Sequence, residues 1–236
     1  MIVFAGEVIL LDVEGTTSSI DFVYDVLFAY AKEHIAAFLQ TNSQDDEIQE
    51  ISQALAKEAG IVADIRNGSG CTQIVLAAME LMKKDVKSTP LKALQGRIWK
   101  AGFNSGQLVA HVFDDVPSSL ANWAASGIDI RIYSSGSIEA QKLFFRHTAA
   151  GDLTPHLRGH YDTTTGPKRE QESYRKISEN IGVRPEQILF LSDVGAELDA
   201  ARSVGMATGA TLRPGNRPFE SHYNHEQIQT FTDITL

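Results

Sequence analysis

Four short apolar runs along the chain have the pattern of strands that are buried on both faces. They cover residues 8–11, 128–133, 188–191 and, more weakly, 206–210, and a polar or glycine-rich turn follows each. Three segments between the last three runs have apolar residues at helical spacing: 137–147, 168–181 and 195–203. This βαβα order predicts an α/β fold with a Rossmann-like parallel sheet as its core.

The long stretch between the first and second predicted strands has the apolar spacing of helices almost throughout. Val23, Leu27, Ala31 and Ile35 illustrate the pattern. Since a crossover between parallel strands needs only about a dozen residues, we predict an inserted helical cap subdomain over residues 18–110. The core would then comprise residues 1–17 and 111–236. An insertion that leaves the sheet beside the first strand end is a candidate lid that excludes water.

Composition and charge exclude several classes of partner. The 236 residues are 43% apolar, enough for one substantial core, and 30 acidic residues against 21 Lys and Arg give a net charge of −9. Without a basic run, neither nucleic acid nor an anionic membrane is an expected partner. We expect a monomer. An acidic protein that handles an anionic substrate must neutralise it locally, with a divalent cation, a Lys or backbone N–H groups.

Cysteine usage and the chain start bear on the compartment. Cys71 is the single cysteine, so no internal disulfide can form. Residues 1–4 lack the features of a signal peptide, and no window approaches the ~20 apolar residues of a membrane span. We therefore expect a cytoplasmic protein.

The first strand runs directly into two carboxylates, Asp12 and Glu14, with the hydroxyl of Thr16 after them. Ligands bind at the carboxyl ends of strands in open α/β sheets, so acids two residues apart there can share a metal ion and a substrate. The alternative is an Asp that only stabilises a turn.

Three further positions carry complementary polar groups. Ser134 and Ser135 follow the second strand, Lys168 follows a Gly-Pro pair, and Asp193 follows the third strand, with Glu197 four residues later. Each has a structural alternative: the serines as turn or N-cap residues, Asp193 as a helix cap, and Lys168 as a surface lysine. Lys168 in the first turn of a helix would oppose the helix dipole, which favours a functional reason. Together these groups predict a phosphoryl-transfer site that uses Mg²⁺, since carboxylate and phosphate oxygens are hard ligands.

These segments also resemble a known family. Asp12-Val13-Glu14-Gly15-Thr16-Thr17, Ser134-Ser135-Gly136, Lys168 and Ser192-Asp193 are similar to the four ordered motifs of the haloacid dehalogenase superfamily of phosphohydrolases. Most members have Asp where this chain has Glu14. The chain resembles the enolase-phosphatases of the methionine salvage pathway in that departure and in three segments, 95–103, 132–137 and the turn 213–216.

The resemblance implies a role for each residue. Asp12 would attack phosphorus to give an aspartyl-phosphate, and Glu14 would act as acid and base near the leaving oxygen. Ser134 and Ser135 would hold phosphate oxygens, and Lys168 would neutralise the developing charge. The implied Mg²⁺ ligands are Asp12, Glu14 and Asp193. The implied substrate is 2,3-diketo-5-methylthiopentyl 1-phosphate, which is enolised and then dephosphorylated to an acireductone.

Three other functions remain possible on sequence grounds. Another phosphatase of the same superfamily would share every catalytic group and differ in the lid. A signalling receiver domain also uses a strand-end Asp, a Lys and Mg²⁺, but the large insertion and Glu14 disfavour it. A cofactor-independent dehalogenase would not need Asp193 as a metal ligand. Within the insertion, Trp99, Gly102 and Phe103 either line the substrate face of the lid or belong to its core.

Overall fold

The chain folds into two compact units in a computed structural model that describes residues 1–84, 86 and 88–236. One unit comprises Met1–Val23 and Val109–Leu236, and the other comprises Tyr24–Leu108. The assignment of residues 1–17 and 111–236 as catalytic core and 18–110 as cap remains a prediction.

The helices and strands alternate in the first unit, whereas the second unit is helical. The strands are β1 (Ile2–Val3), β2 (Val8–Leu11), β3 (Asp129–Tyr133), β4 (Gly159–Tyr161), β5 (Ile188–Ser192), β6 (Ala207–Thr211), β7 (Glu226–Ile228) and β8 (Ile234–Thr235). The α-helices are α1 (Ala29–Thr41), α2 (Asp46–Glu58), α3 (Gly68–Lys83), α4 (Thr89–Asn104), α5 (Asp115–Ala125), α6 (Ile138–Arg146), α7 (Gln171–Ile181) and α8 (Gly195–Ser203). A π-helical segment, Phe22–Phe28, precedes α1.

The larger sheet of the first unit is parallel throughout. Among the described residues it has six strands in the order β4-β3-β2-β5-β6-β7, and β1 pairs with β8 in a separate parallel sheet. Counted from β2, the order of the larger sheet is the 3-2-1-4-5-6 order of a doubly wound Rossmann fold. The predicted α/β class with a Rossmann-like parallel sheet is therefore confirmed.

The core of the first unit lies around the central strands of this sheet. Every residue of β2 and of β5 is buried. Helices cover both faces of a parallel sheet, which is why these strands are continuous apolar runs instead of alternating ones. Tyr174 and Ile177 of α7 and Leu198 of α8 pack on them, completely buried.

The sequence pattern missed the edges of the sheet. β4 and β7 are the outermost strands, each only three residues long, and one contains His160 and the other Glu226. His160 lies half-buried in β4 beside the side chain of Gln141. Burial, with a smaller effect of Lys142, lowers the pKa of His160 to about 4.

The second unit packs α1–α4 around a core of its own. Its fully buried residues include Ile35 and Leu39 of α1, Leu55 of α2, Ile74 of α3 and Leu94 of α4. Side chains cap three of the helices, because Asp45, Asn67 and Ser88 accept hydrogen bonds from backbone N–H groups in the first turns of α2, α3 and α4.

One aromatic residue of α4 takes part in this packing. The half-buried Trp99 packs against the core of the helical unit and donates from Nε1 to the carbonyl of Leu27 at 2.7 Å. A side chain at Gly102 would collide with Tyr30, and Phe103 is buried. For Trp99 and Gly102 the structure therefore favours the core of the helical unit over the substrate face of the lid. Among the described helices, none is both long and apolar enough to cross a membrane.

Candidate active site

Three of the predicted site residues follow the carboxyl ends of neighbouring strands. In the sheet register, Leu11 at the end of β2 lies opposite Ile132 of β3 and Leu191 of β5. Asp12 extends the ladder, because its N–H donates to the carbonyl of Leu191 at 3.0 Å. Ser134 and Asp193 come directly after β3 and β5. The three parallel strands therefore deliver Asp12, Ser134 and Asp193 to one edge of the sheet.

Lys168 lies against the carboxylate of Asp12. Its Nζ is 2.6 Å from Asp12 Oδ1 and 2.7 Å from Glu197 Oε2, and its side chain is only 10% exposed. Burial alone would lower the pKa of the ammonium, but the charges of Asp12 and Glu197 outweigh it and raise that pKa above its ordinary value. The lysine is therefore a fixed positive charge next to the predicted nucleophile.

Lys168 does not lie in a helix, contrary to the prediction of a helix over 168–181. α7 begins at Gln171, so Lys168 belongs to the preceding turn and the helix-dipole argument does not apply to it. Buried hydroxyls hold this turn instead. Three successive carbonyls accept from three side chains: Gly166 O from Tyr133 (3.0 Å), Pro167 O from Ser173 (2.8 Å) and Lys168 O from Tyr174 (2.6 Å).

Glu14 turns its carboxylate toward the end of β3. Its Oε2 accepts a hydrogen bond from Ser134 Oγ at 3.2 Å, and Ser134 is buried. Desolvation by burial is the main cause that raises the pKa of Glu14, and the negative charge of Asp12 adds to it. A carboxyl whose pKa is raised holds a proton more readily, as a general acid must.

The second serine of the pair behaves differently. Ser135 is exposed, so the structure brings Ser134 into the cluster and leaves the side chain of Ser135 at the surface. Neither serine caps α6, because Ser137 does so by accepting from the N–H of Ala140. The N-cap alternative for Ser134 and Ser135 is therefore wrong.

Asp193 lies beside the loop that follows β2. A methyl group added to Gly15 would fall 2.5 Å from Asp193 Oδ2, so this carboxylate packs directly against the loop backbone. Burial, followed by the charges of Asp12 and Glu197, raises the pKa of Asp193 to about 7. The alternative of a helix cap is wrong, since α8 begins after Val194 and no side chain caps it.

Glu197 belongs to the same cluster, although it was not predicted as a site residue. It is buried in the first turn of α8 and pairs with Lys168. Ser192 Oγ lies 3.1 Å from both Glu197 Oε2 and Asp12 Oδ2, so its single proton can bond only one carboxylate at a time. The sequence did contain an indication of this role, because Glu197 comes four residues after Asp193, on the helix that follows the same strand.

Comparisons with known proteins show the family of the chain. The family model of haloacid dehalogenase-like hydrolases matches residues 7–205. A protein named enolase-phosphatase E1 from Drosophila mojavensis is 43% identical over 93% of this chain and 90% of its own length. Another from Pseudomonas fluorescens is 44% identical over 97% of this chain and 96% of its own length.

The chain belongs to the enolase-phosphatase E1 family of haloacid dehalogenase-like hydrolases. A solved structure has a similar fold: that of the UTR4 protein of Saccharomyces cerevisiae has a TM-score of 0.81 at 34% identity, covering 96% of this chain and 98% of that one. The protein is an enzyme, a phosphatase of this hydrolase family, and the family suggests a divalent metal cofactor. This membership replaces the receiver-domain alternative.

The predicted metal ligands form an incomplete set of side chains. Among the described residues, no three His, Cys, Asp or Glu side chains converge as a metal-binding group. One oxygen of each of two carboxylates is already engaged within the protein, since Lys168 pairs with Asp12 Oδ1 and Ser134 donates to Glu14 Oε2. Metal ligation by Asp12, Glu14 and Asp193 therefore stays a prediction.

The residues present nevertheless suit a small hard cation. Mg²⁺ keeps several waters and needs only one or two carboxylates, with substrate phosphate as a further ligand. The carboxyl groups of Asp12, Glu14, Asp193 and Glu197 all interact electrostatically with the single ammonium of Lys168, so negative charge is in excess. Burial is the main cause that raises the pKa of Asp193, and the charges of Asp12 and Glu197 add to it. A divalent cation would offset that excess of negative charge.

The loop after β2 tolerates only glycine at position 15. Gly15 has a φ of +72°, and an added methyl would meet Asp193 Oδ2 at 2.5 Å. We expect Gly15→Ala to lower the free energy of unfolding by more than the roughly 1–2 kcal/mol of a left-handed backbone, and to abolish phosphate release by displacing Asp193. Urea unfolding and a phosphate assay measure the two effects.

The matched control is Gly182→Ala. Gly182 has a similar φ of +78° with no atom within 4 Å of an added methyl, so this variant measures the backbone cost alone. Equal destabilisation by the two substitutions would show that close packing of Asp193 on Gly15 contributes nothing.

Proposed function

We propose that the protein is a Mg²⁺-dependent enolase-phosphatase of methionine salvage. It converts 2,3-diketo-5-methylthiopentyl 1-phosphate to the acireductone 1,2-dihydroxy-3-keto-5-methylthiopentene and phosphate. The observation that carries the proposal is the strand-end carboxylate of Asp12, held 2.6 Å from the buried ammonium of Lys168. The identity to enolase-phosphatases over most of the chain supports the substrate.

Phosphoryl transfer to Asp12 is the first chemical step after enolisation. A carboxylate oxygen of Asp12 forms a bond to phosphorus while the bond between phosphorus and the ester oxygen breaks. Glu14 gives its carboxyl proton to that leaving oxygen, a role that its raised pKa supports. The product remaining on the protein is an aspartyl-phosphate.

Hydrolysis of the aspartyl-phosphate completes the cycle. Glu14, now ionised, takes a proton from the water that attacks phosphorus, and the carboxylate of Asp12 leaves. Inorganic phosphate is released, and Glu14 is again protonated. In both steps Lys168 neutralises charge that develops on the phosphoryl oxygens, and Ser134 and Ser135 are proposed to hold those oxygens.

A divalent cation bound by Asp12, Glu14 and Asp193 would supply further positive charge for the phosphoryl group. Asp193 lies close to the loop that carries Glu14, because a methyl group added to Gly15 in that loop would contact Asp193 Oδ2. Glu14 contributes either its side chain or its backbone carbonyl to this set. The small phosphate ester as sole partner, the monomeric state and the cytoplasmic location also remain predictions.

The decisive experiment supplies the diketo phosphate to the purified protein. We expect phosphate release and enol absorbance to rise together with Mg²⁺ and to stop when EDTA removes it. Glucose 6-phosphate serves as the comparison ester. Faster turnover of that ester would favour another phosphatase of the superfamily, and turnover without any divalent cation would contradict the proposed metal dependence.

Glu14 provides a separate test of acid and base catalysis. We expect Glu14→Gln to lower phosphate release by about 10² to 10⁴, because an amide cannot transfer a proton. Glu14→Asp should recover only part of the rate, since its arm is one methylene shorter. Steady-state phosphate release at saturating Mg²⁺ is the measurement.

An activated ester separates the two steps in which Glu14 acts. A leaving group that needs no proton should let Glu14→Gln form the aspartyl-phosphate almost normally, while hydrolysis stays slow because the attacking water still lacks a base. Rapid-quench detection of the intermediate would show its accumulation. Full rescue of Glu14→Gln by excess Mg²⁺ would mean that Glu14 is a metal ligand only.

A further inference from the structure

Asn216 holds the backbone of the loop that carries Glu14. Its Nδ2 donates to the carbonyl of Gly15 at 2.8 Å and to the carbonyl of Thr211 at 3.0 Å. These two acceptors fix the orientation of the amide, because a flipped side chain would place its oxygen against two carbonyl oxygens. Oδ1 is therefore the acceptor that remains.

Asn216 Oδ1 is buried and has no hydrogen-bond partner among the described residues. Buried polar atoms in folded proteins nearly always have a partner, so an unpaired one indicates a donor that the chain does not itself supply. Its place suggests what that donor is. A methyl group on Gly15 would lie 3.0 Å from Asn216 Oδ1 and 2.5 Å from Asp193 Oδ2, so both oxygens flank the same point of the loop.

Two acceptors near one point of the loop, one of them charged, suit a hydrated cation. A cation ligated by Asp193 keeps water molecules, and those waters are hydrogen-bond donors to neighbouring acceptors. We infer that Asn216 Oδ1 accepts a hydrogen bond from a water bound to the divalent cation, which makes Asn216 a positioning residue of the metal site. This inference rests on the proposed function, in which Asp12, Glu14 and Asp193 bind the cation.

A second side chain separates this role from simple support of the loop. Thr211 Oγ1 also donates to the carbonyl of Gly15, at 3.1 Å, and its other contact is the hydroxyl of Thr16. Thr211→Val removes support of that carbonyl. Asn216→Leu removes the same support of the Gly15 carbonyl, the bond to the carbonyl of Thr211, and the free acceptor. Neither substitution changes the net charge.

The experiment measures binding of Mg²⁺ by titration calorimetry, and of Mn²⁺ by electron paramagnetic resonance, to the full-length wild type and both variants. We expect Asn216→Leu to raise the dissociation constant by about tenfold or more, the usual effect of losing a group that orients metal ligands. Thr211→Val should change it less than about threefold by the same standard. Circular dichroism verifies that each variant is folded.

Two results would overturn the inference: an unchanged dissociation constant in folded Asn216→Leu, or an equal rise in Thr211→Val. If Asn216→Leu does not fold, the carboxamide carbon of Asn216 in the wild type is followed by ¹³C NMR. A signal that does not shift at Mg²⁺ saturation then overturns it. A wild type that neither binds Mg²⁺ nor turns over the diketo phosphate would instead overturn the proposed function.

Discussion

Asp12→Asn is expected to abolish turnover while the protein stays folded. An amide cannot attack phosphorus to form the acyl-phosphate, so phosphate release should fall by about 10³-fold or more, as for other lost nucleophiles. The fold should survive because Asp12 lies among the carboxylates of Glu14, Asp193 and Glu197, and neutralising it relieves repulsion. Phosphate release and thermal unfolding are the measurements.

Trapping the intermediate makes this test specific to a covalent mechanism. Wild-type protein quenched in acid during turnover should carry phosphate on Asp12, and Asp12→Asn should carry none. Asp114→Asn is the matched control, because Asp114 is exposed at the start of α5 and its side chain makes no cap hydrogen bond. Substantial turnover by folded Asp12→Asn would end the covalent mechanism.

Lys168→Met is expected to lower kcat/KM by about 10² to 10³, the usual effect of removing one electrostatic stabiliser of a transition state. The substitution nearly keeps the side-chain length and removes the charge. It should also destabilise the fold by about 3–5 kcal/mol, because it leaves the buried carboxylates of Asp12 and Glu197 unpaired. Steady-state kinetics and urea unfolding measure the two effects.

A double variant separates stability from catalysis. Adding Glu197→Gln to Lys168→Met removes one unpaired charge, so it should restore part of the stability and none of the activity. Lys176→Met, an exposed lysine of α7, is the matched control. A fall in kcat/KM of less than about tenfold, or 1.4 kcal/mol, would mean that Lys168 is not an electrostatic group of the reaction.

The sequence predicted the middle of the sheet better than its edges. Strands such as β2 are buried on both faces, so their apolar runs are unambiguous. β4 and β7 are short and polar at the two edges, where backbone pairing alone defines them. The start of α7 was predicted too early, because residues 168–170 are compatible with a helix and a local apolar pattern does not reveal that the hydroxyls of Tyr133, Ser173 and Tyr174 hold this segment in a turn.

The positions of the site residues could be predicted from the order of strands and helices, whereas the contacts between their side chains could not. Strand ends predicted where Asp12, Ser134 and Asp193 would lie, and the structure brings them to one edge of the sheet. Which of two adjacent serines is buried depends on the backbone after β3. The pairing of Lys168 with Glu197 depends on how α8 packs. The catalytic roles of all these residues stay predictions until the variants are measured.

In the turn of Lys168, one set of residues holds the main chain and another set contacts the charged end of the side chain. Uncharged hydroxyls of Tyr133, Ser173 and Tyr174 immobilise the main chain from Gly166 to Lys168, and carboxylates contact only the tip of the lysine. The anchoring is thus insensitive to salt and to the ionisation of the pocket. The hydrogen bonds that hold residues 166–168 do not involve the side chain of Lys168. Another side chain at this position could therefore replace the ammonium group without a change in the backbone of the turn.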